Sequence, residues 1–114
     1  MFLAAGLALV AAGPAFAHSL LLESAPAAGA TLPSSPSTLM LRFNNRIEKP
    51  LSRVRLVDST GAKQALTLSP DGGGADRLVA TVPALAPGTW RVEWQVLSTD
   101  GHVVAGRFQF KVAP

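Results

Sequence analysis

The chain has no cysteine, two histidines and two methionines. Without cysteine there is no disulfide to brace the fold, no thiolate nucleophile and no sulfur anion to hold a metal. Stability has to come from packing alone. Met1 lies in an apolar leader, so Met40 is the remaining thioether, and no methionine-rich segment exists to bind a soft metal. Charge is also sparse, with ten Lys and Arg against seven Asp and Glu and a net charge of +3. The basic residues are scattered, and no aromatic platform accompanies Arg53 and Arg55. That excludes the dense basic stripe of a nucleic-acid binder and leaves a solvated sheet surface with a weak attraction to anionic lipid. No long segment carries helical periodicity.

Residues 2–12 are almost wholly apolar, Gly13-Pro14 breaks the run, and Ala15-Phe16-Ala17 fits the small-x-small cleavage rule. A spanning helix needs about 20 apolar residues, so residues 1–17 read as a secretory signal peptide and residues 18–114 as one domain with a modest core. No Lys or Arg precedes the apolar run. Either the true start lies upstream or the usual positive charge is dispensable here.

After the leader, short apolar runs alternate with turn signals, the all-β pattern. Seven strands are expected. The first spans residues 18–23, with a loop from Ser24. Residues 32–37 are too proline-rich for a central strand. Residues 38–43 alternate Leu39, Leu41 and Phe43 against polar neighbours. Strands follow at 53–58, with Val57 breaking the alternation, and at 64–68 and 78–82. Residues 90–96 set Trp90, Val92, Trp94 and Val96 on one face, the expected centre of the core. Residues 104–112 supply the last strand, with Phe108, Phe110 and Val112 on one face. The expected fold is a seven-stranded antiparallel Greek-key β-sandwich or barrel of immunoglobulin-like, cupredoxin-like shape.

The two histidines are the chemically informative residues. Cleavage after Ala17 makes His18 the first residue of the mature chain. Its α-amine and ring Nδ1 then close a six-membered chelate, which an internal histidine cannot do. His102 ends the run Ser98-Thr99-Asp100-Gly101-His102. One intervening residue in a turn lets Asp100 and His102 converge, and Gly101 is expected to keep a Cβ out of their way. A nitrogen-rich set with one carboxylate favours Cu(II) among divalent ions. Each residue also has a plainer reading: a lone histidine at a strand end is usually a surface side chain, and Asp-Gly is a common hairpin turn.

The start His18-Ser19-Leu20, the Pro26-x-x-Gly29 loop, Leu41-Arg42-Phe43, Pro87-Gly88-Thr89-Trp90-x-Val92, and Ser98-x-Asp100-Gly101-His102 with Gly106 and Phe110 beyond it resemble the CopC family of bacterial periplasmic copper-binding proteins. The resemblance runs from His18 to Val112. It implies one Cu(II) per chain held by His18, Asp100 and His102, a periplasmic location, and transfer to a CopD-type inner-membrane partner. With no membrane segment before Pro114, that partner is expected to be a separate polypeptide. A monomer is expected. The chain departs from the family pattern in two ways. It lacks the Met-rich loop that many members use for Cu(I), which points to the Cu(II)-only branch. It also has Asn44-Asn45 where many members place an acidic residue after the strand. Asn44 could accept a hydrogen bond there, and Glu23 is the other candidate to support the site.

Two other functions fit parts of the pattern. A histidine brace, with an N-terminal histidine and a second imidazole, is the centre of copper-dependent oxidative enzymes. An Asp100 ligand would block an oxygen position and hold Cu(II) against reduction, so catalysis is not expected. A metal-free secreted β-sandwich interaction module would bind no metal tightly.

Overall fold

A computed structural model describes residues 20–70 and 72–114. Among these residues the chain forms nine strands and one short 3₁₀ turn at Lys49–Leu51. The strands are β1 (Leu21–Ala25), β2 (Thr31–Leu32), β3 (Thr38–Phe43), β4 (Arg53–Val57), β5 (Lys63–Ala65), β6 (Thr67–Leu68), β7 (Arg77–Thr81), β8 (Gly88–Leu97) and β9 (Val103–Val112). They make two sheets, one in the order β1-β3-β7-β6 and the other β2-β9-β8-β4-β5. Alternation explains how the sheets face each other, because successive side chains on a strand point to opposite faces. Leu39, Leu41 and Phe43 of β3 and Leu78 and Ala80 of β7 are buried from one side. Val54, Leu56, Val92, Trp94, Val96 and Phe110 are buried from the other. The rings of Phe43 and Trp94 meet edge to face, with centroids 5.1 Å apart, and join the two layers.

The β8–β9 hairpin dominates the larger sheet, with ten residue pairs in unbroken register from Gly88↔Val112 to Leu97↔Val103. Gly106 stands opposite Trp94 in this register. A Cβ on Gly106 would collide with the Trp94 ring, at 2.7 Å from Cε2. The indole thus lies flat over the neighbouring strand because that strand has no side chain there.

Several expectations need correction. Nine strands replace seven, for two reasons. Residues 64–68 are not one strand: β5 pairs with β4 and β6 pairs with β7, in different sheets. The chain changes sheets at Leu66, which is buried and donates its N–H to Val54 O at 3.0 Å. Thr31–Leu32, at the start of the proline-rich stretch and in none of the expected strands, forms a short edge strand that pairs parallel to β9, so the sandwich is not wholly antiparallel. Pro33 has no N–H to extend it. The first strand is displaced as well. It runs on to Ala25, and its register shifts between Leu21 and Glu23. Such a bulge breaks the two-residue period that sequence patterns reveal. Trp90 is half-buried at the margin of the core, and its Nε1 donates to Ala86 O at 3.0 Å. The expected signal peptide lies outside the described residues.

Candidate metal centre

The β8–β9 hairpin carries its turn, residues 98–102, at one end of the sandwich. Ser98 N–H donates to His102 O and Gly101 N–H to Ser98 O, both at 2.9 Å. Gly101 has φ +87°. This is the three-residue hairpin loop in which a type I turn is closed by a left-handed residue. The expectation about Gly101 therefore needs a different reason. A Cβ there meets no described atom within 4 Å, so what the turn demands is the left-handed backbone, which disfavours every residue with a Cβ.

The turn brings Asp100 and His102 together. Asp100 Oδ1 accepts the His102 backbone N–H at 3.1 Å, and Oδ2 lies 3.0 Å from His102 Nδ1. One carboxylate thus orders both the backbone and the ring of the histidine two residues on. The Asp100 side chain is 25% exposed and the His102 side chain 63%. An imidazole that open to solvent, held beside a carboxylate, can bind a cation without prior rearrangement of the core.

The turn is fixed from below. Ser98 is 2% exposed and bridges Ile47, while Glu48 N–H donates to Leu97 O at 3.0 Å. Three residues before Ile47, Asn44 follows the end of β3 and holds the start of the described chain. Asn44 Oδ1 accepts the Leu20 N–H at 2.7 Å, and Asn44 N–H donates to Leu20 O at 3.0 Å. Leu20, Asn44, Ile47 and Ser98 therefore form one connected path at the same end of the sandwich.

His18 lies outside the described residues. Asp100 and His102 are brought together as the D-x-H spacing suggested. Asn44 does accept a hydrogen bond, and its donor is the backbone two residues after His18. Glu23 does not stand in for the missing acid. It is paired with Arg42 across β1 and β3 at 2.7 Å, and that bond holds its carboxyl below the ordinary value. Sequence reasoning missed the support from Ile47 and Ser98. A buried serine beside a hairpin turn has no distinct sequence signal.

A family model described as the CopC domain matches residues 21–113. The chain belongs to the CopC family. Copper resistance protein C of Xanthomonas campestris pv. juglandis is 33% identical over 112 residues, covering 92% of this chain and 87% of that protein. The crystal structure of CopC from Methylosinus trichosporium OB3b superposes with a TM-score of 0.77 at 33% identity, over 85% of this chain and 95% of that one. The crystal structure of PcoC, a methionine-rich copper resistance protein from Escherichia coli, has a TM-score of 0.72 at 25% identity, over 84% and 99%. The CopC β-sandwich expected from the sequence is thus the observed fold. The family consists of copper-binding and copper-resistance proteins rather than enzymes. This CopC domain differs from its methionine-rich relative in composition: Met40 is its sole methionine after Met1.

Proposed function

We propose that this CopC-family protein holds one Cu(II) per chain in the periplasm, with the His18 α-amine and imidazole, the His102 imidazole and the Asp100 carboxylate as donors. It buffers the ion and passes it to a CopD-type membrane partner. The observation that carries the reading is the exposed Asp100–His102 pair, 3.0 Å apart on a hydrogen-bonded turn. The Asn44 clamp on Leu20 adds support. It ties the first described residue to the end of the sandwich that carries the turn. The donors suit copper in its oxidised state: nitrogen and a hard carboxylate oxygen favour Cu(II), and Cu(I) prefers sulfur, of which the sequence after the leader has only Met40. The copper is cargo, and the residues bind it without redox chemistry of their own.

The test is maturation. Mass spectrometry of the exported protein is expected to find His18 at the N-terminus and one copper bound. A variant with one extra residue before His18 turns the amine into an amide and removes one donor. Its Cu(II) affinity, read by competition with a chelator, is expected to fall by more than tenfold, which is about 1.4 kcal/mol. Equal affinity in the two forms would reject the amine as a ligand.

A further inference from the structure

The outer face of the larger sheet carries a feature that copper binding does not use. β4, β8 and β9 lie side by side there and curve into an open trough of about 510 Å³. Val54, Trp94 and Gly106 contribute backbone to its floor, because their side-chain positions turn toward the core. Ala65 and Ala105 keep its sides low, and Arg53, Arg55 and Arg107 line it.

The charges are arranged, not merely present. Glu93 is the trough's one carboxylate and is already engaged twice. Arg55 Nε lies 2.7 Å from its Oε1 and Arg91 Nε 2.9 Å from its Oε2. Both bonds hold the Glu93 carboxyl below its ordinary value, Arg55 most strongly. Arg107 stands opposite Glu93 in the β8–β9 register, and Arg53 stands opposite Gln95 in the β4–β8 register. Among the described residues neither Arg53 nor Arg107 has a carboxylate within ion-pair distance. Their strands flank β8, and their register differs by two residues. Strand spacing of about 4.8 Å and a rise of about 3.4 Å per residue put their Cα atoms about 12 Å apart, so both guanidinium groups can reach acidic groups lying across Gln95 and Ala105.

We propose that this trough docks an acidic peptide segment of a partner protein, with Arg53 and Arg107 binding its carboxylates. Charge complementarity selects the occupant: three arginines line the trough, and its one carboxylate is already paired. Arginine suits this role because its planar fork binds carboxylates in a bidentate manner. A flat anionic bilayer fits less well, because the surface is concave. The exposed large apolar residues that could enter lipid, Leu20, Leu22, Leu51 and Val103, do not line it. The Gln95↔Ala105 pair is two residue pairs from the end of the β8–β9 ladder. A segment docked there lies next to the turn that carries Asp100 and His102. The inference does not depend on metal binding, since the trough contains neither residue.

The experiment is fluorescence anisotropy with a labelled peptide of alternating Glu and Ser, titrated with the purified protein. The expected result is saturable binding that weakens with salt. R53E/R107E is expected to weaken it by more than tenfold, and the neutral pair R53Q/R107Q by a smaller factor. R77E/K111E makes the same change in net charge away from the trough and is expected to stay within about twofold of the parent. His102→Ala is expected to bind the peptide as the parent does, so loss of the copper site and loss of docking read out separately. Near-ultraviolet circular dichroism of Trp90 and Trp94 checks each variant's fold. Equal losses in the two charge-reversed variants would mean non-specific attraction and overturn the proposal. So would unchanged binding in folded R53Q/R107Q, or binding to phosphatidylglycerol vesicles with none to the peptide.

Discussion

Asn44→Ala tests whether the amide clamp positions the N-terminus for the copper binding proposed above. The substitution deletes one hydrogen bond, Leu20 N–H to Asn44 Oδ1 at 2.7 Å, and leaves the backbone bond from Asn44 N–H to Leu20 O. The residues are exposed, so the freed Leu20 N–H turns to water and no buried-donor penalty arises. The net value of such a bond is about 0.5–1.5 kcal/mol. If the clamp serves to hold the N-terminal donors beside the turn, that energy is lost from the copper complex. The corresponding loss of Cu(II) affinity is about two- to thirteenfold. The remaining backbone bond favours the lower half of that range. Asn44→Asp keeps the acceptor and is expected to restore affinity to at least the parent's. Chelator competition reads affinity, and amide hydrogen exchange at Leu20 reads the clamp. Faster exchange at Leu20 with parental copper affinity would refute the positioning role.

Protons compete with copper for amine and imidazole nitrogens. Cu(II) affinity is therefore expected to fall steadily from pH 7 to 5 in chelator competition, and His102→Ala to lower it across that range. Gly106→Ala drives a Cβ into the Trp94 ring. Overpacking of this kind costs about 1–3 kcal/mol, a drop in Tm of about 4 °C or more for a domain this size, and a thermal scan matching the parent's would contradict the contact. The Glu93 carboxyl is held below its ordinary 4.5, first by Arg55. Its stabilising effect is thus complete above that value and lost as pH falls through the lower folded value. Glu93→Gln is expected to flatten the acid limb of the stability curve below about pH 4.5 in denaturant titrations, with little change in slope between pH 6 and 8.

The parts of the fold legible in the sequence are those where one face is buried and the register unbroken. β3 and β8 alternate cleanly because one face of each packs into the core. β1 and the 64–68 segment were misread for the opposite reason. A bulge at Leu22 and a sheet change at Leu66 each interrupt the period of two that the reading depends on. β2 was invisible because two residues carry no period at all, and its pairing is a contact with the far end of the chain. The site shows the same division. Asp100 and His102 meet through a local turn, so spacing alone suffices. The supports from Asn44, Ile47 and Ser98 join residues 24 and 51 positions apart. Single-sequence patterns do not register such partners.

The placement of the turn has a physical consequence of its own. Ten paired residues on each side make the β8–β9 hairpin the longest ladder among the described residues. Its rigidity rests on core residues Val92, Trp94 and Val96, each held from the opposite sheet. A metal ligand on a loop of a few residues at the end of such a ladder inherits that rigidity. In the proposed site His102 would therefore need little ordering on binding an ion, and the entropic cost would fall mainly on the N-terminal side. In the proposed site the hydrogen-bonded hairpin would supply Asp100 and His102, and the Asn44 clamp at Leu20 would anchor the N-terminal side, so the clamp would count for more than its single side-chain hydrogen bond suggests.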